Sequence, residues 1–428
     1  MPFPRMFRLR QKFDCPRIDD IPAEVERQLQ MLRLAEKVKP GQTVAITVGS
    51  RGIANIDAIT KAIVVHFQRL NAIPFIVPAM GSHGGGTADG QRRIVEGYGI
   101  TEEYVGAQIR SSMETVIVDK TAQGIPVHFD RHAFGADHVV VAGRIKPHTG
   151  FVGEIESGLH KMMLIGLGKH EGAKVYHRAI MDYSWLEIVT AVAESVLRKC
   201  KIVCGVGIVE NAYDETALIA AVPPQAFLSR EKELLVLARE WMPRLPFRKV
   251  DLLIIDELGK NISGSGMDTN VIGRKYNDHR ATEKDQAAVK TIFVRGLTEA
   301  THGNACGIGM AEFTNDRTIA AVDRRITAIN AITGGHVPAA SLPVSLKTDR
   351  EVLDAAFPTI GLTEPESARV LHISNTLHLA EVLASEAYLP MVQTRDDLEI
   401  VDELREMEFD EEGNLYPVAA ATAGVGVD

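Results

Sequence analysis

The sequence has few cysteines, few aromatic residues and no surplus of positive charge. Four cysteines in 428 residues are too few for a disulfide scaffold, which indicates a protein of a reducing compartment. Lysine and arginine number 47 against 56 acidic residues, and a net charge of −9 does not supply the basic face that nucleic-acid binding requires. We therefore expect a cytoplasmic protein without a nucleic-acid partner.

Long apolar runs are also missing. No uninterrupted apolar stretch approaches the roughly 20 residues needed to span a bilayer. The N-terminal segment is basic but lacks the apolar core of a secretory signal. Apolar residues make up 45% of the chain and charged residues 24%, which is ordinary for a globular protein. We expect no membrane partner and a function that involves small molecules.

What the sequence does contain is an alternation of short apolar segments with helical patterns, which is typical of α/β proteins. The predicted strands are residues 43–48, 74–78, 138–142, 202–209, 250–255, 291–295 and 370–373, with a hairpin at 116–129. The predicted helices include residues 56–70, 88–98, 318–331 and a helix that a capping box starts at Ser184 and Glu187.

These elements predict two α/β domains with mixed or parallel sheets and an active-site cleft between them. Pro243 and Pro246 interrupt the pattern and mark the boundary. We assign residues 1–245 to an N-terminal domain that carries the candidate catalytic histidines and 250–395 to a C-terminal domain. Residues 396–428 form a C-terminal segment, which is a candidate to pack back on the first domain.

Three predicted strands of the first domain end in loops of unusual composition. Arg51 follows the first strand, His83 stands in the loop GSHGGG after the second, and His148 follows Pro147 after the third. Ligands bind beyond the carboxyl ends of strands in open α/β sheets, so parallel neighbouring strands would bring the three side chains to one rim. Two histidines suit proton transfer near neutral pH, and an arginine suits a carboxylate. Taken singly, each residue also has an interpretation without function. His83 could cap the following helix, His148 could lie in a surface turn, and Arg51 could be an exposed turn residue.

Residues 153–178 hold the densest group of reactive side chains. Ser157 is a candidate cap for a short helix that carries His160 and Lys161, and partial burial would make the Lys161 amine more nucleophilic. His160, His170 and His177 could bind a metal, but their spacing matches no zinc motif. For His160 and His170 a structural or surface role is the stronger interpretation.

In the second domain, a Gly/Ser loop with Lys260 follows the first strand. It matches neither the Walker A motif nor the dinucleotide fingerprint. A loop of this kind can bind an anion through backbone amides, and a flexible surface loop is an equal alternative.

The order and spacing of these residues resemble the nickel-dependent lactate racemase family, in its broad branch of racemase-domain proteins. The resemblance rests on Arg51, on GSHGGG with His83, on PH with His148, and on Lys161 with His177. It extends to residues 259–274 and 303–314 and so covers most of the chain in order.

The resemblance implies an isomerase, a racemase or epimerase of a 2-hydroxy acid. Its cofactor would be a nickel-pincer nucleotide, nickel pyridinium-3,5-bisthiocarboxylic acid mononucleotide, supplied by cofactor-synthesis enzymes. The reaction would be a proton-coupled hydride transfer between the substrate carbon and this cofactor. The implied catalytic residues are His83 and His148.

The resemblance also implies the binding residues. Arg51 would bind the substrate carboxylate, with Lys260 or Arg274 as a cationic contact from the second domain. His177 would bind the nickel, and Lys161 would correspond to a lysine that tethers the cofactor covalently. The stretch between His148 and Lys161 is longer than the resemblance to the lactate enzymes leads us to expect, so binding without a covalent bond stays open.

Two other functions are compatible with the same residues. One is a divalent-metal hydrolase or lyase that uses His83, His148 and either Glu154 or Glu156. The other is a protein without catalytic activity that binds a nucleotide or metal.

Overall fold

A computed structural model describes residues 2–50 and 52–419. The chain divides into two compact units. One unit comprises residues 15–242, and the other combines the chain up to Asp14 with the chain from Pro243 onward. The division after Met242 lies close to the predicted interruption at Pro243.

Sixteen strands and fourteen α-helices lie in the described ranges. The strands are β1 (Met6–Gln11), β2 (Thr43–Val48), β3 (Ile73–Pro78), β4 (Gln108–Ile109), β5 (Thr115–Lys120), β6 (Pro126–Asp130), β7 (His138–Arg144), β8 (Ile202–Glu210), β9 (Thr216–Val222), β10 (Lys249–Ile255), β11 (Ala288–Val294), β12 (Phe313–Asn315), β13 (Val344–Leu346), β14 (Val370–Ile373), β15 (Glu381–Ser385) and β16 (Leu398–Ile400).

The α-helices are α1 (Ile21–Gln30), α2 (Ile56–Arg69), α3 (Ala88–Gly97), α4 (Glu102–Val105), α5 (Arg131–Gly135), α6 (Leu159–Lys161), α7 (Lys169–Ala179), α8 (Trp185–Lys199), α9 (Phe227–Trp241), α10 (Thr269–Ile272), α11 (Asp316–Ala321), α12 (Arg324–Thr333), α13 (Asp349–Ala356) and α14 (Leu389–Val392). A π-helix, Met162–Gly166, continues directly from α6. No helix of the described ranges is long and apolar enough to cross a bilayer.

The unit of residues 15–242 is built on a six-stranded sheet in the order β4-β3-β2-β7-β8-β9. All its neighbouring strands are parallel except β9, which pairs antiparallel with β8. Strands β5 and β6 form the predicted hairpin. Side chains on alternate strand positions point to opposite faces, and each face packs against helices.

The two faces of this sheet have separate cores. Phe75, Val77 and Val139 pack with α8 and α9 on one side. On the other side, Val44, Ile46, Ile76 and Val140 pack with α1 and α2. The capping box predicted for α8 is present, because the Ser184 hydroxyl accepts from the Glu187 N–H and Glu187 accepts from the Ser184 N–H.

The second unit has an eight-stranded sheet in the order β13-β12-β11-β10-β14-β15-β1-β16. The first five strands of this order, from β13 through β12, β11 and β10 to β14, are parallel neighbours. The pairs of β15 with β14, β15 with β1 and β1 with β16 are antiparallel. The protein is therefore an α/β protein with one mixed sheet in each unit, as the sequence predicts.

Three features of this unit differ from the sequence analysis. Residues up to Asp14, assigned above to the N-terminal domain, join the second unit because β1 pairs with β15. The described part of the C-terminal segment also packs within this unit, where β16 pairs with β1 and the Val418 N–H donates to Asp256, 2.8 Å. The single helix predicted at 318–331 is two helices, because the Asp323 carboxylate caps α12 and ends the run.

Candidate active site

The candidate site lies at the carboxyl edge of the first sheet. Strands β3, β2 and β7 are parallel neighbours, as predicted, so the loops that follow them begin at one edge. These loops carry His83, Ser50 and His148 respectively. Arg51, which we predict to bind the substrate carboxylate, lies outside the described residues.

His83 is half-buried, and its Nδ1 is hydrogen-bonded to the Ser50 hydroxyl. This bond joins the loops after β3 and β2. The loop can turn here because Gly84 adopts φ +67°, and a Cβ at Gly84 would lie 2.6 Å from the Gln91 nitrogen. Thr87, not His83, caps the following helix α3, since its hydroxyl accepts from the Gly90 N–H. The helix-capping alternative for His83 is therefore wrong.

The His148 ring closes a short turn of its own. Its Nδ1 accepts from the backbone N–H groups of Gly150 (2.9 Å) and Phe151 (3.0 Å). Because these bonds occupy the Nδ1 lone pair, the neutral ring carries its proton on Nε2. The backbone N–H of His148 donates to Glu156, 2.7 Å, and Glu156 is ion-paired with Arg239.

Two aromatic residues that the sequence analysis missed hold the His148 ring in place. Phe151 stacks on His148 with ring centroids 4.1 Å apart, and Trp185 stacks on the other face of Phe151, also at 4.1 Å. The Trp185 indole N–H donates to the Ile155 carbonyl, 3.1 Å. The aromatic stack therefore connects the loop after β7 with the start of α8.

Lys161 lies at the junction of α6 and the π-helix. The π-helix is shown by the Leu167 N–H, which donates to the Met162 carbonyl five residues earlier, 2.9 Å. It lies directly on the sheet because Gly143 of β7 has no side chain, and a Cβ there would lie 2.7 Å from Met162 Cγ. Lys161 Nζ is 3.4 Å from the Ser157 hydroxyl and 5.9 Å from the Phe151 ring centroid. Ser157 does not cap α6 as predicted, because Gly158 occupies the N-cap position.

His177 lies near the C-terminal end of α7. Its Nδ1 is buried and has no hydrogen-bond partner among the described residues. Burial, reinforced by the nearby Lys161 ammonium, lowers the pKa of His177 to about 4. The imidazole is therefore neutral at physiological pH, the state that a metal ligand requires.

The depressed pKa of His177 makes a prediction for stability. The unfolded chain, where the pKa is close to 6.5, binds the proton first, so stability falls as the pH falls from about 6.5 to about 4. Between pH 7 and pH 4 this residue should cost about 3 kcal/mol of unfolding free energy. We expect the metal-free wild type to lose that much more stability than His177→Gln.

Both tryptophans, Trp185 and Trp241, lie in the unit of residues 15–242, so urea unfolding followed by tryptophan fluorescence measures this unit. Equal pH dependence in the two proteins would contradict the lowered pKa.

Three other candidate ligands, His160, Glu154 and Glu156, have partners of their own, whereas the buried Nδ1 of His170 has none among the described residues. His160 is buried, and its Nδ1 lies 2.8 Å from Glu231, which gives it a structural role as expected. Glu154 pairs with Lys232, and Glu156 with Arg239. Within residues 2–50 and 52–419, no three histidines, cysteines or acidic residues are grouped to hold a metal. The site thus does not assemble the ligand set of the hydrolase or lyase alternative.

Lys260 and Arg274, the two predicted cationic contacts of the second unit, both bind partners within that unit. Lys260 Nζ donates to the Gly264 carbonyl and to Asn330, 2.7 Å. Arg274 is buried, with its guanidinium donating to the carbonyls of Val289 and Lys290 and paired with Glu312. A guanidinium in this position stabilises the fold and presents no surface to a substrate, which argues against the predicted role of Arg274.

The first part of the chain is similar to a known protein family. Residues 11–186 match the model of the lactate racemase N-terminal domain. This range includes His83, His148, Lys161 and His177. No curated protein matches the chain at a significant level.

Two solved structures are similar to most of the chain. The lactate racemase apoprotein from Thermoanaerobacterium thermosaccharolyticum matches with a TM-score of 0.52 at 13% identity, over 87% of this chain and 93% of that one. A protein from Thermotoga maritima matches with a TM-score of 0.48 at 12% identity, over 80% and 92% of the two chains. At 13% identity, the similarity to the lactate racemase apoprotein concerns the fold alone. Residues 11–186 are thus similar to the lactate racemase N-terminal domain, and the fold of the chain is similar to that of the lactate racemase apoprotein.

Proposed function

We propose that the protein is a racemase or epimerase of a 2-hydroxy acid that uses a nickel-pincer nucleotide. The observation that carries the proposal is the neutral, partly buried His177 beside the Lys161 ammonium, in a region similar to the lactate racemase N-terminal domain. Successive contacts connect this pair with the site. Lys161 lies over Phe151, and Phe151 stacks on His148.

The residues present suit the cofactor. A buried Nδ1 without a partner gives His177 a lone pair for nickel, for which imidazole is a suitable ligand. Lys161 would hold the nucleotide, by a covalent bond or through its ammonium group. When bound, the cofactor would supply the acceptor for a hydride from the substrate carbon.

The two histidines would manage the proton of the substrate hydroxyl. When Nδ1–H of His83 donates to the Ser50 hydroxyl, Nε2 is the unprotonated ring nitrogen and is the atom that can accept this proton. His148 presents Nε2–H, which can donate a hydrogen bond to a substrate oxygen. His148 can exchange a proton once Nδ1 releases the two backbone N–H groups. In the state described, His83 is therefore the better base.

The substrate class follows from the same group of residues. Arg51 would bind the carboxylate of a 2-hydroxy acid, lactate or a sugar acid among them, through its planar guanidinium. The low cysteine count, four in 428 residues, supports a reducing cytoplasm as the place of this reaction. Cofactor-synthesis enzymes would supply the nucleotide there.

The test is to produce the protein together with pincer-synthesising enzymes and to measure nickel by elemental mass spectrometry. We expect about one nickel per chain, because each chain has one candidate ligand site. We also expect chiral chromatography to show that the isomers of a 2-hydroxy acid are interconverted. Intact mass under denaturing conditions would separate covalent from reversible binding at Lys161. A preparation without nickel, when a lactate racemase loaded in parallel contains it, would contradict the proposal.

A further inference from the structure

A lysine with no exposed surface lies at the start of α7. Lys169 has a left-handed backbone, φ +55°, a conformation that is unfavourable for a residue with a side chain. A buried ammonium also loses its hydration, and burial lowers the pKa of Lys169. Both costs require compensation from specific contacts.

The Lys169 ammonium has three polar partners, two through hydrogen bonds and one through an ion pair. It donates to the Pro78 carbonyl at the end of β3 and to Gln91 Oε1 of α3, 3.1 Å. It is also ion-paired with the buried Asp130 carboxylate, 3.2 Å. Lys169 therefore joins α7, β3, α3 and the end of β6 at one point.

Gln91 extends this network to the loop that carries His83. The Gln91 side chain has no exposed surface, and its amide Nε2 donates to the carbonyls of Gly81 (2.9 Å) and His83 (3.3 Å). The loop after β3 is thus held at Pro78, Gly81 and His83 by two side chains that contact each other. The same network reaches α7, the helix that carries His177.

We propose that Lys169 and Gln91 are positioning residues, which fix the His83 loop in place and couple it to helix α7. The catalytic part of this inference rests on the proposed function, because it takes His83 as a proton acceptor. The positional part does not, since it concerns the placement of the His83 ring in the protein without cofactor.

The sharpest variant is Gln91→Glu. A carboxylate of the same shape can still accept from Lys169, but it has no amide protons for the Gly81 and His83 carbonyls. Gln68→Glu is a control for the chemical change alone, because the exposed Gln68 amide also donates to a backbone carbonyl, that of Gly106 (2.8 Å), in another part of the unit. Asp130→Asn is a second variant, which weakens the hold on Lys169 and keeps an oxygen to cap α5.

The readout independent of activity is the rate at which diethyl pyrocarbonate modifies each histidine of the metal-free protein, measured by peptide mass spectrometry. We expect Gln91→Glu and Asp130→Asn to raise the rate at His83 several-fold relative to His148, and Gln68→Glu to leave it unchanged. In the loaded enzyme, kcat should fall by about 10- to 100-fold with KM nearly constant, the cost of misplacing a reacting group by about 1 Å.

The outcomes separate the two proposals. An unchanged His83 rate in both Gln91→Glu and Asp130→Asn, with melting curves that show folded protein, would overturn the positioning role. A raised His83 rate with no racemisation by the loaded wild type would support the positioning role and contradict the proposed function. An equal fall of kcat in Gln68→Glu would assign the effect to general destabilisation and overturn the inference.

Discussion

Replacement of His83 by glutamine is expected to lower kcat by about 10²- to 10⁴-fold, the usual contribution of a positioned general base. Glutamine can still hydrogen-bond the Ser50 hydroxyl, so the contact between the loops after β3 and β2 can persist. It cannot accept the substrate proton. The loss should therefore appear in turnover while nickel content and the melting curve stay close to those of the wild type.

The measurement is the initial rate from each pure isomer of the substrate. A catalyst leaves the equilibrium constant unchanged, so kcat/KM must fall by the same factor in both directions. His148→Asn is the informative comparison, because an asparagine oxygen can accept from the Gly150 and Phe151 N–H groups in place of Nδ1. That variant removes the imidazole and keeps the turn.

We expect the His148→Asn loss to be smaller than that of His83→Gln, because Nδ1 of His148 is already engaged with backbone donors. A His83→Gln enzyme that keeps most of its turnover would contradict the assignment of His83 as the base. A larger loss in His148→Asn would exchange the two roles.

The rim of the candidate site could be predicted because it depends on local signals. Apolar runs of strand length locate β2, β3 and β7, and the glycines after β3 indicate a tight loop around His83. Parallel order then follows from the alternation with helices. Those three facts are sufficient to bring the loops of His83 and His148 to one edge.

The residues that support the rim could not be predicted, because their partners are distant in the sequence. Trp185 reaches Phe151 across 34 positions, and Lys169 reaches Gln91 across 78. Composition gives no signal for such contacts. A buried lysine in particular looks like a surface residue until its carboxylate and carbonyl partners are located.

Two features lie elsewhere in the structure than the sequence predicts, for related reasons. Arg274 is a cation in a Gly-rich loop, which suggests a substrate contact, but tertiary packing buries it among carbonyls. Strand β1 begins the chain, which suggests the first domain, but its backbone pairs with β15 some 370 residues later. A pairing between strands so far apart in the sequence gives no local signal in either strand.

Replacement of His177 by alanine is expected to remove almost all nickel from protein produced with the pincer-synthesising enzymes, from about one per chain to below about one tenth. The physical reason is that a neutral imidazole with an unpartnered nitrogen is removed from the site. Far-UV circular dichroism should be unchanged, because His177 makes no hydrogen bond through its buried Nδ1 in the described structure.

The chain itself offers the control for this experiment. His170 lies seven residues earlier on α7, on the same face of the helix, and its Nδ1 is likewise buried without a hydrogen-bond partner among the described residues. His170→Ala thus makes the same change in the same helix, and we expect it to keep its nickel. Equal nickel loss in both variants would show that α7 as a whole, and not the His177 imidazole, determines binding. Nickel retained in His177→Ala would exclude His177 as the ligand. Loss of nickel in His177→Ala alone would assign the ligand to the His177 imidazole.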